Sequence, residues 1–219
     1  MTSSTSRIKS NVPSFEAHLQ SIRKVQSSLF RDVDFISVPN AQILFQEQKD
    51  MTDHAKVTSS GEKQRRRVLF VDCRSEEERK VSMIPGAVSK DDFVHNRNNV
   101  QNPLPENLVC YCTIGMRSGL GAHHISKILG SSSSKNGNSA NDNSQCTVRN
   151  MEGGIIGWAR AHNPLMDPGT EQNTTKLHTF SSKFDLVPSE YEVQHFSTLN
   201  STAENLRTWW TTMKMRVAG

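Results

Sequence analysis

The reading of the chain turns on Leu108-Val-Cys-Tyr-Cys112-Thr-Ile-Gly115-Met-Arg117-Ser118. Residues 108–111 are an apolar run of strand length without polar alternation, the pattern of a strand buried on both faces. In an open α/β sheet the C-terminal ends of such strands face the crevice where ligands bind. The following residues make a loop and then enter a helix to about Leu129, with Leu120, Ile125 and Ile128 as candidates for its core side. Backbone N–H groups in such a loop, and at a helix N-terminus, form an anion-binding concavity. Gly115 permits a backbone conformation or close approach that a Cβ would obstruct. Arg117 adds a permanent positive charge in a planar fork of donors. Each feature favours thiolate over thiol at Cys112, which is therefore the candidate nucleophile.

Working outward, Val68-Leu-Phe-Val71 is a second fully apolar run, ending in Asp72, and Cys146-Thr-Val-Arg149 is a third strand. Ser75-Glu-Glu-Glu-Arg-Lys80 is a short charged helix with acids at its start, Ile84-Pro-Gly-Ala87 is a turn, and Gly153-Gly154 opens a helix carrying Ile156 and Trp158. Phe35-Ile-Ser-Val38 reads as a short strand. Pro39 opens a helix with Ile43, Leu44 and Phe45 on its apolar side, and the polar residues 49–66 read as a loop. Strands alternating with helices predict an α/β fold of three layers: a central, mostly parallel sheet with helices on both faces.

Outside this core, residues 1–13 are Ser/Thr-rich without an acid and are expected to be disordered. Residues 14–32 hold an amphipathic helix, with Ser14 as N-cap and Phe15, Leu19, Ile22, Val25 and Leu29 on one face. The α/β domain spans 33–166, interrupted by a low-complexity, flexible insert at 130–145. A C-terminal extension, 167–219, carries the capping signal Ser201-x-x-Glu204 before Leu206, Trp209, Trp210, Met213 and Val217, which predicts an amphipathic helix.

Composition excludes several classes. Leu, Ile, Val and Phe number 48 of 219 residues, just enough for a packed core, and the net charge of +4 is too small to hold the chain open. No stretch approaches 18 apolar residues, so no membrane span is expected, and no apolar secretory segment follows Met1. Four cysteines in 219 residues are too sparse for a disulfide scaffold, which favours a reducing compartment: the cytoplasm, with mitochondrion or plastid as the alternative if residues 1–13 act as a weak transit segment. The run Lys63-Gln-Arg-Arg-Arg67 is short and has no interleaved aromatics, so nucleic acid is not an expected partner. Cys110-x-Cys112 with His123-His124 lacks a zinc spacing, and no metal is expected.

Three blocks in order resemble the rhodanese-like (single-domain sulfurtransferase) family. Val68-Leu-Phe-Val-Asp72-Cys-Arg74, then Glu78 and Ile84-Pro-Gly-Ala87, is similar to the family's N-terminal signature; Cys112 to Ser118 resembles its active loop; Asn150-Met-Glu-Gly-Gly154 through Trp158, with Asn163-Pro-Leu165 after it, resembles its closing signature. Three positions depart from the pattern: Ser82-Met83 stand where Gly-His is usual, and Arg79 replaces a common aromatic. The resemblance implies a thiosulfate sulfurtransferase with Cys112 as catalytic residue and persulfide carrier. It implies a substrate cradle of Thr113, Ile114, Gly115, Met116 and Ser118, with Arg117 binding the donor's oxyanion. Its partners would be a small sulfur donor and a thiol or cyanide acceptor, or a protein persulfide, with no metal and no organic cofactor. Two alternatives stand beside it: a regulatory rhodanese-like interaction module, and the phosphatase or arsenate reductase relatives, whose loop holds one more residue than the four between Cys112 and Arg117.

Overall fold

The structure is a computed structural model that describes residues 14–55, 66–96, 104–133 and 146–196. Five strands form one sheet: β1 (Asp34–Ile36), β2 (Val68–Asp72), β3 (Val88–Ser89), β4 (Asn107–Tyr111) and β5 (Thr147–Met151). Their order is β1-β5-β4-β2-β3, and every neighbouring pair is parallel. The helices are α1 (Phe15–Leu29), α2 (Val38–Ala55), α3 (Glu76–Val81), α4 (Lys90–Asn96), α5 (Met116–Ser133) and α6 (Gly154–Arg160).

The period of two along the strands sorts their side chains into two cores. Val68, Phe70, Val109, Tyr111 and Met151 face Ala41 and Leu44 of α2, Ile155 and Trp158 of α6, and Leu165. Val71, Leu108, Cys110 and Val148 pack with Phe93 of α4 and with Ala122 and Ile125 of α5. Both faces of the sheet are therefore covered, as the apolar runs predict. Trp158 anchors the first core: it is fully buried, Phe45 and Phe70 meet it edge-on at 5.4 Å, and its indole N–H donates to Pro164 O at 2.9 Å.

Four expectations need correction. Residues 49–55 are not loop but the end of α2, where Gln46 donates to Asp50 and Gln48 to Thr52 one turn on; these polar i,i+4 bonds carry the helix past the end of its apolar pattern. Val38 begins α2 instead of ending β1, with Ser37 O accepting from the Ala41 amide. Helix α5 continues past Leu129 to Ser133, into the start of the predicted insert. On α1 the buried positions are Ile22 and Gln26, while Val25 and Leu29 are exposed.

Beyond Leu165 the chain adds two small pairs, β6 (Met166–Asp167) with β7 (Gln172–Asn173), antiparallel, and β8 (Lys176–His178) with β9 (Glu192–Gln194), parallel. Leu177 enters the first core, and Tyr191 donates to Ala159 O at 2.9 Å. The predicted helix at 202–217, residues 1–13 and residues 134–145 lie outside the described residues. Replacing Trp158 by Ala should cost about 3–5 kcal/mol, the range for emptying a large aromatic site in a core. Urea denaturation of both proteins measures it.

Candidate active site

β4 ends at Tyr111, and Cys112 follows with only 1% of its surface exposed. Thr113, Ile114 and Gly115 complete the turn, and α5 begins at Met116. Gly115 has φ +104, a conformation open to glycine, and its N–H donates to Cys112 Sγ at 3.2 Å. The loop thus folds back on its own sulfur.

A second glycine holds the loop against α6. Gly154 has φ +53, and a Cβ there would lie 2.8 Å from Thr113 C and O. Its absence lets the N-terminus of α6 come close enough for Ile155 N–H to donate to Cys112 O at 2.8 Å and Ile156 N–H to Thr113 O at 3.2 Å. These are two of the amides that have no partner within their own helix. The loop carbonyls are consequently turned toward α6.

Arg117 does not stand free as an oxyanion fork. Its Nη1 and Nη2 donate to Glu78 Oε2 and Oε1, both at 2.7 Å, and Nη2 also donates to Thr113 Oγ1 at 2.7 Å. The guanidinium carbon lies 5.1 Å from the Phe180 ring centre, on the segment after β8. Glu78 is fully buried on α3, where Ser75 and Glu78 form a reciprocal capping box, and it accepts from Thr113 Oγ1 at 2.8 Å. Burial opposes ionisation of Glu78, but the Arg117 fork outweighs it and holds the carboxyl at about 2. Burial likewise opposes the charge on Arg117, and Glu78 overcomes it, raising its pKa.

Behind this pair lies a second one. Arg74 Nη2 and Asp72 Oδ2 are 2.7 Å apart, both side chains fully buried, and Arg74 also donates to Ser82 O at 2.6 Å. The pair pins the end of β2 to the residue after α3. Met83, at the second departing position, exchanges backbone bonds of 2.8 Å with Met166. Arg79 donates to the carbonyl of Arg74.

On the other side of the loop stands a cluster of side-chain amides. Ser118, fully buried, donates to Asn150 Oδ1 at 2.6 Å. Asn150 Nδ2 donates to Gly115 O at 2.9 Å and to Gln26 Oε1 at 2.7 Å. Gln26 was not legible as a site residue, because its only local signal is a polar residue on an apolar helix face. Met116 is half-buried at the start of α5, and Ile114 is buried. Of the other cysteines, Cys110 is fully buried in β4; the Cys110 thiol, and after it burial, pushes the Cys73 thiol well up. Among the described residues no group of three or more His, Cys, Asp and Glu side chains gathers as a metal site. His123 instead meets Asp32 at 2.8 Å.

A parallel sheet with both faces covered, and a cysteine-bearing loop between strand and helix with an acid-held arginine, define a three-layer α/β domain. The chain carries a rhodanese-like domain: the model of that family matches residues 53–161. Solved structures similar to the chain include a thiosulfate sulfurtransferase from Pseudomonas aeruginosa, 16% identical over 69% of this chain and 22% of that one, with a TM-score of 0.42. A rhodanese-related protein from Thermoplasma volcanium is 12% identical over 61% and 98% of the two chains, with a TM-score of 0.36. A protein from Rhodopseudomonas palustris described as a possible tyrosine phosphatase is 18% identical over 75% and 98%, with a TM-score of 0.35. No curated protein matches the chain. No helix among the described residues is long and apolar enough to cross a membrane.

The Glu78–Arg117 pair sets an acid limit. The Glu78 carboxyl titrates near 4.5 when unfolded and at about 2 when folded, so its contribution is complete above 4.5 and is lost as pH falls toward 2. That contribution is on the order of 3 kcal/mol. Glu78→Gln should be less stable at pH 6, and its stability should fall less between pH 5 and pH 3 than that of the unmodified protein. Urea melts at the three pH values check both.

Proposed function

We propose that the chain is a sulfurtransferase with Cys112 as the sulfur carrier. The observation that carries this reading is the contact of Gly115 N–H with Cys112 Sγ inside a loop of only four residues between Cys112 and Arg117. A turn that tight aims amides at a sulfur atom on Cys112 and leaves little room for the three oxygens of a phosphoryl group. It therefore favours sulfur chemistry over the phosphatase alternative.

In the first half-reaction the Cys112 thiolate attacks the outer sulfur of thiosulfate. A new S–S bond forms, the old one breaks, and sulfite leaves with its electron pair. With a persulfide donor the leaving group is a thiolate. Cys112 then holds one sulfane sulfur as an anionic persulfide, which the loop amides stabilise. In the second half-reaction an acceptor thiolate or cyanide attacks the terminal sulfur, and Cys112 departs as thiolate. No proton transfer to a poor leaving group is needed, in keeping with the absence of a free acid in the loop.

Arg117 serves this scheme in a different way from a free oxyanion clamp. Because Glu78 occupies both arms of its fork, it orders the turn through Thr113 and presents only its remaining exposed surface, 24% of the side chain, to a donor. The small donor is placed by the loop, with Met116 and Arg117 as its half-buried rim.

Mass spectrometry after incubation with thiosulfate should show one added sulfur on the Cys112 peptide, released by cyanide as thiocyanate. Cys112→Ser should abolish both, whereas Cys73→Ser and Cys146→Ser should retain them. Phosphate-ester hydrolysis with no sulfur uptake would replace this reading by the phosphatase one.

A further inference from the structure

Gln26 is 2% exposed, while its apolar neighbours Val25 and Leu29 on the same helix are each 42% exposed. Burying a carboxamide is unfavourable unless its groups are bonded. Here every one of them is, and all at one place. Nε2 donates to Gly115 O at 2.7 Å and to Met116 O at 3.0 Å, and Oε1 accepts from Asn150 Nδ2 at 2.7 Å. The fold also makes room for this side chain. A Cβ at Gly119 would lie 2.5 Å from the Gln26 amide carbon, so an alanine there would expel it. Helix α1 is held in place by Ile22 in its interior and by Arg23, which pairs with Glu152 at 2.5 Å.

The consequence follows from peptide geometry. Gly115 O also accepts from Asn150 at 2.9 Å, and only a long 3.4 Å bond from Gly119 N–H ties it to the helix. Two side-chain amides therefore fix the Gly115–Met116 peptide. In a planar trans peptide the C=O and the following N–H point in opposite directions. Drawing the Gly115 carbonyl toward Gln26 turns the Met116 N–H away from it and sets the loop around Gly115, whose own N–H meets Cys112 Sγ.

We propose that Gln26, outside the matched stretch 53–161, is a positioning residue for the Cys112 loop: with Asn150 it fixes the peptide plane that aims the loop's amides. The inference rests on the reading of Cys112 as the sulfur carrier. The charged groups near the loop are not part of it. Glu78 binds Arg117, Asp72 binds Arg74, Arg23 binds Glu152, and none bonds Gln26.

The test uses the full chain. Gln26→Met keeps the length and removes the bonds. Gln26→Ala, Gly119→Ala and their double variant form a cycle. Two rates are read on the Cys112 peptide by mass spectrometry: sulfur loading from thiosulfate, and alkylation by iodoacetamide across pH. Gln26→Met should slow both by roughly tenfold or more, the scale for a misplaced reacting group. Its alkylation profile should move to higher pH, and final alkylation should still reach one per chain. Gly119→Ala should reproduce the loss in the unmodified chain and add little to Gln26→Ala, where the space is open. Unchanged rates and pH profile in Gln26→Met, or losses that multiply in the double variant, would overturn the proposal. Should Gln26→Ala fail to fold, Gln26→Met alone decides. Should the unmodified protein take up no sulfur, the carrier reading fails, while the alkylation rates still test Gln26.

Discussion

The fully buried carboxylate of Glu78 is the point on which the candidate site is built. It receives both arms of Arg117, the Thr113 hydroxyl and the Ser75 amide. Those partners belong to three elements, so one group ties α3, the loop after β4 and the first turn of α5 together. An unpaired carboxylate in that position would not remain ionised, and an unpaired guanidinium beside it would be costly to bury. Each charge is tolerated because the other is there. The loop geometry is therefore coupled to an ion pair whose acidic half comes from another helix.

This arrangement changes what the arginine contributes. A guanidinium bound to a carboxylate by two parallel bonds is a rigid plate with much of its charge compensated. It orders the turn and supports a ring, Phe180, on its face. In the proposed sulfur-carrier scheme, stabilising an anionic Cys112 persulfide falls mainly to backbone amides, which carry partial charge and need no reorganisation. A cradle of that kind suits a single sulfur atom better than a highly charged group.

Much of this was legible in the sequence. The apolar runs at 68–71 and 108–111 gave central strands, because strands buried on both faces have no polar alternation to confuse them. Gly115 marked where backbone comes close to backbone, while the pair Gly153-Gly154 read only as the start of a helix, and the close approach at Gly154 came from the structure. The length of α2 was not legible, since its last turns rest on polar i,i+4 bonds rather than on an apolar stripe. Nor were β3, of two residues, and the pairs after Leu165, whose strands of two or three residues are shorter than any periodicity can register. The partner of Arg117 was hidden for another reason. Glu78 stood in the signature, but nothing in the sequence spacing says that a carboxylate 39 residues before an arginine will meet it.

The elements that flank the matched stretch are joined to the loop from two sides. Gln26 reaches Gly115 O from α1, and Phe180 covers Arg117 from the segment after β8. Phe180 has φ +70, a conformation uncommon for a residue with a side chain, and its N–H donates to His178 Nδ1 at 3.1 Å. The surroundings hold it there: the fully buried Thr179 beside it donates to Asp185, which also meets His195 at 2.8 Å. The Cys112 loop is short, four residues before Arg117, and Gly115 within it carries no side chain. What surrounds it must come from elsewhere in the chain. Here the helix before the sheet supplies the bonds at the back of the loop and the extension supplies the ring beside its arginine, so the matched stretch alone does not contain the whole environment of Cys112.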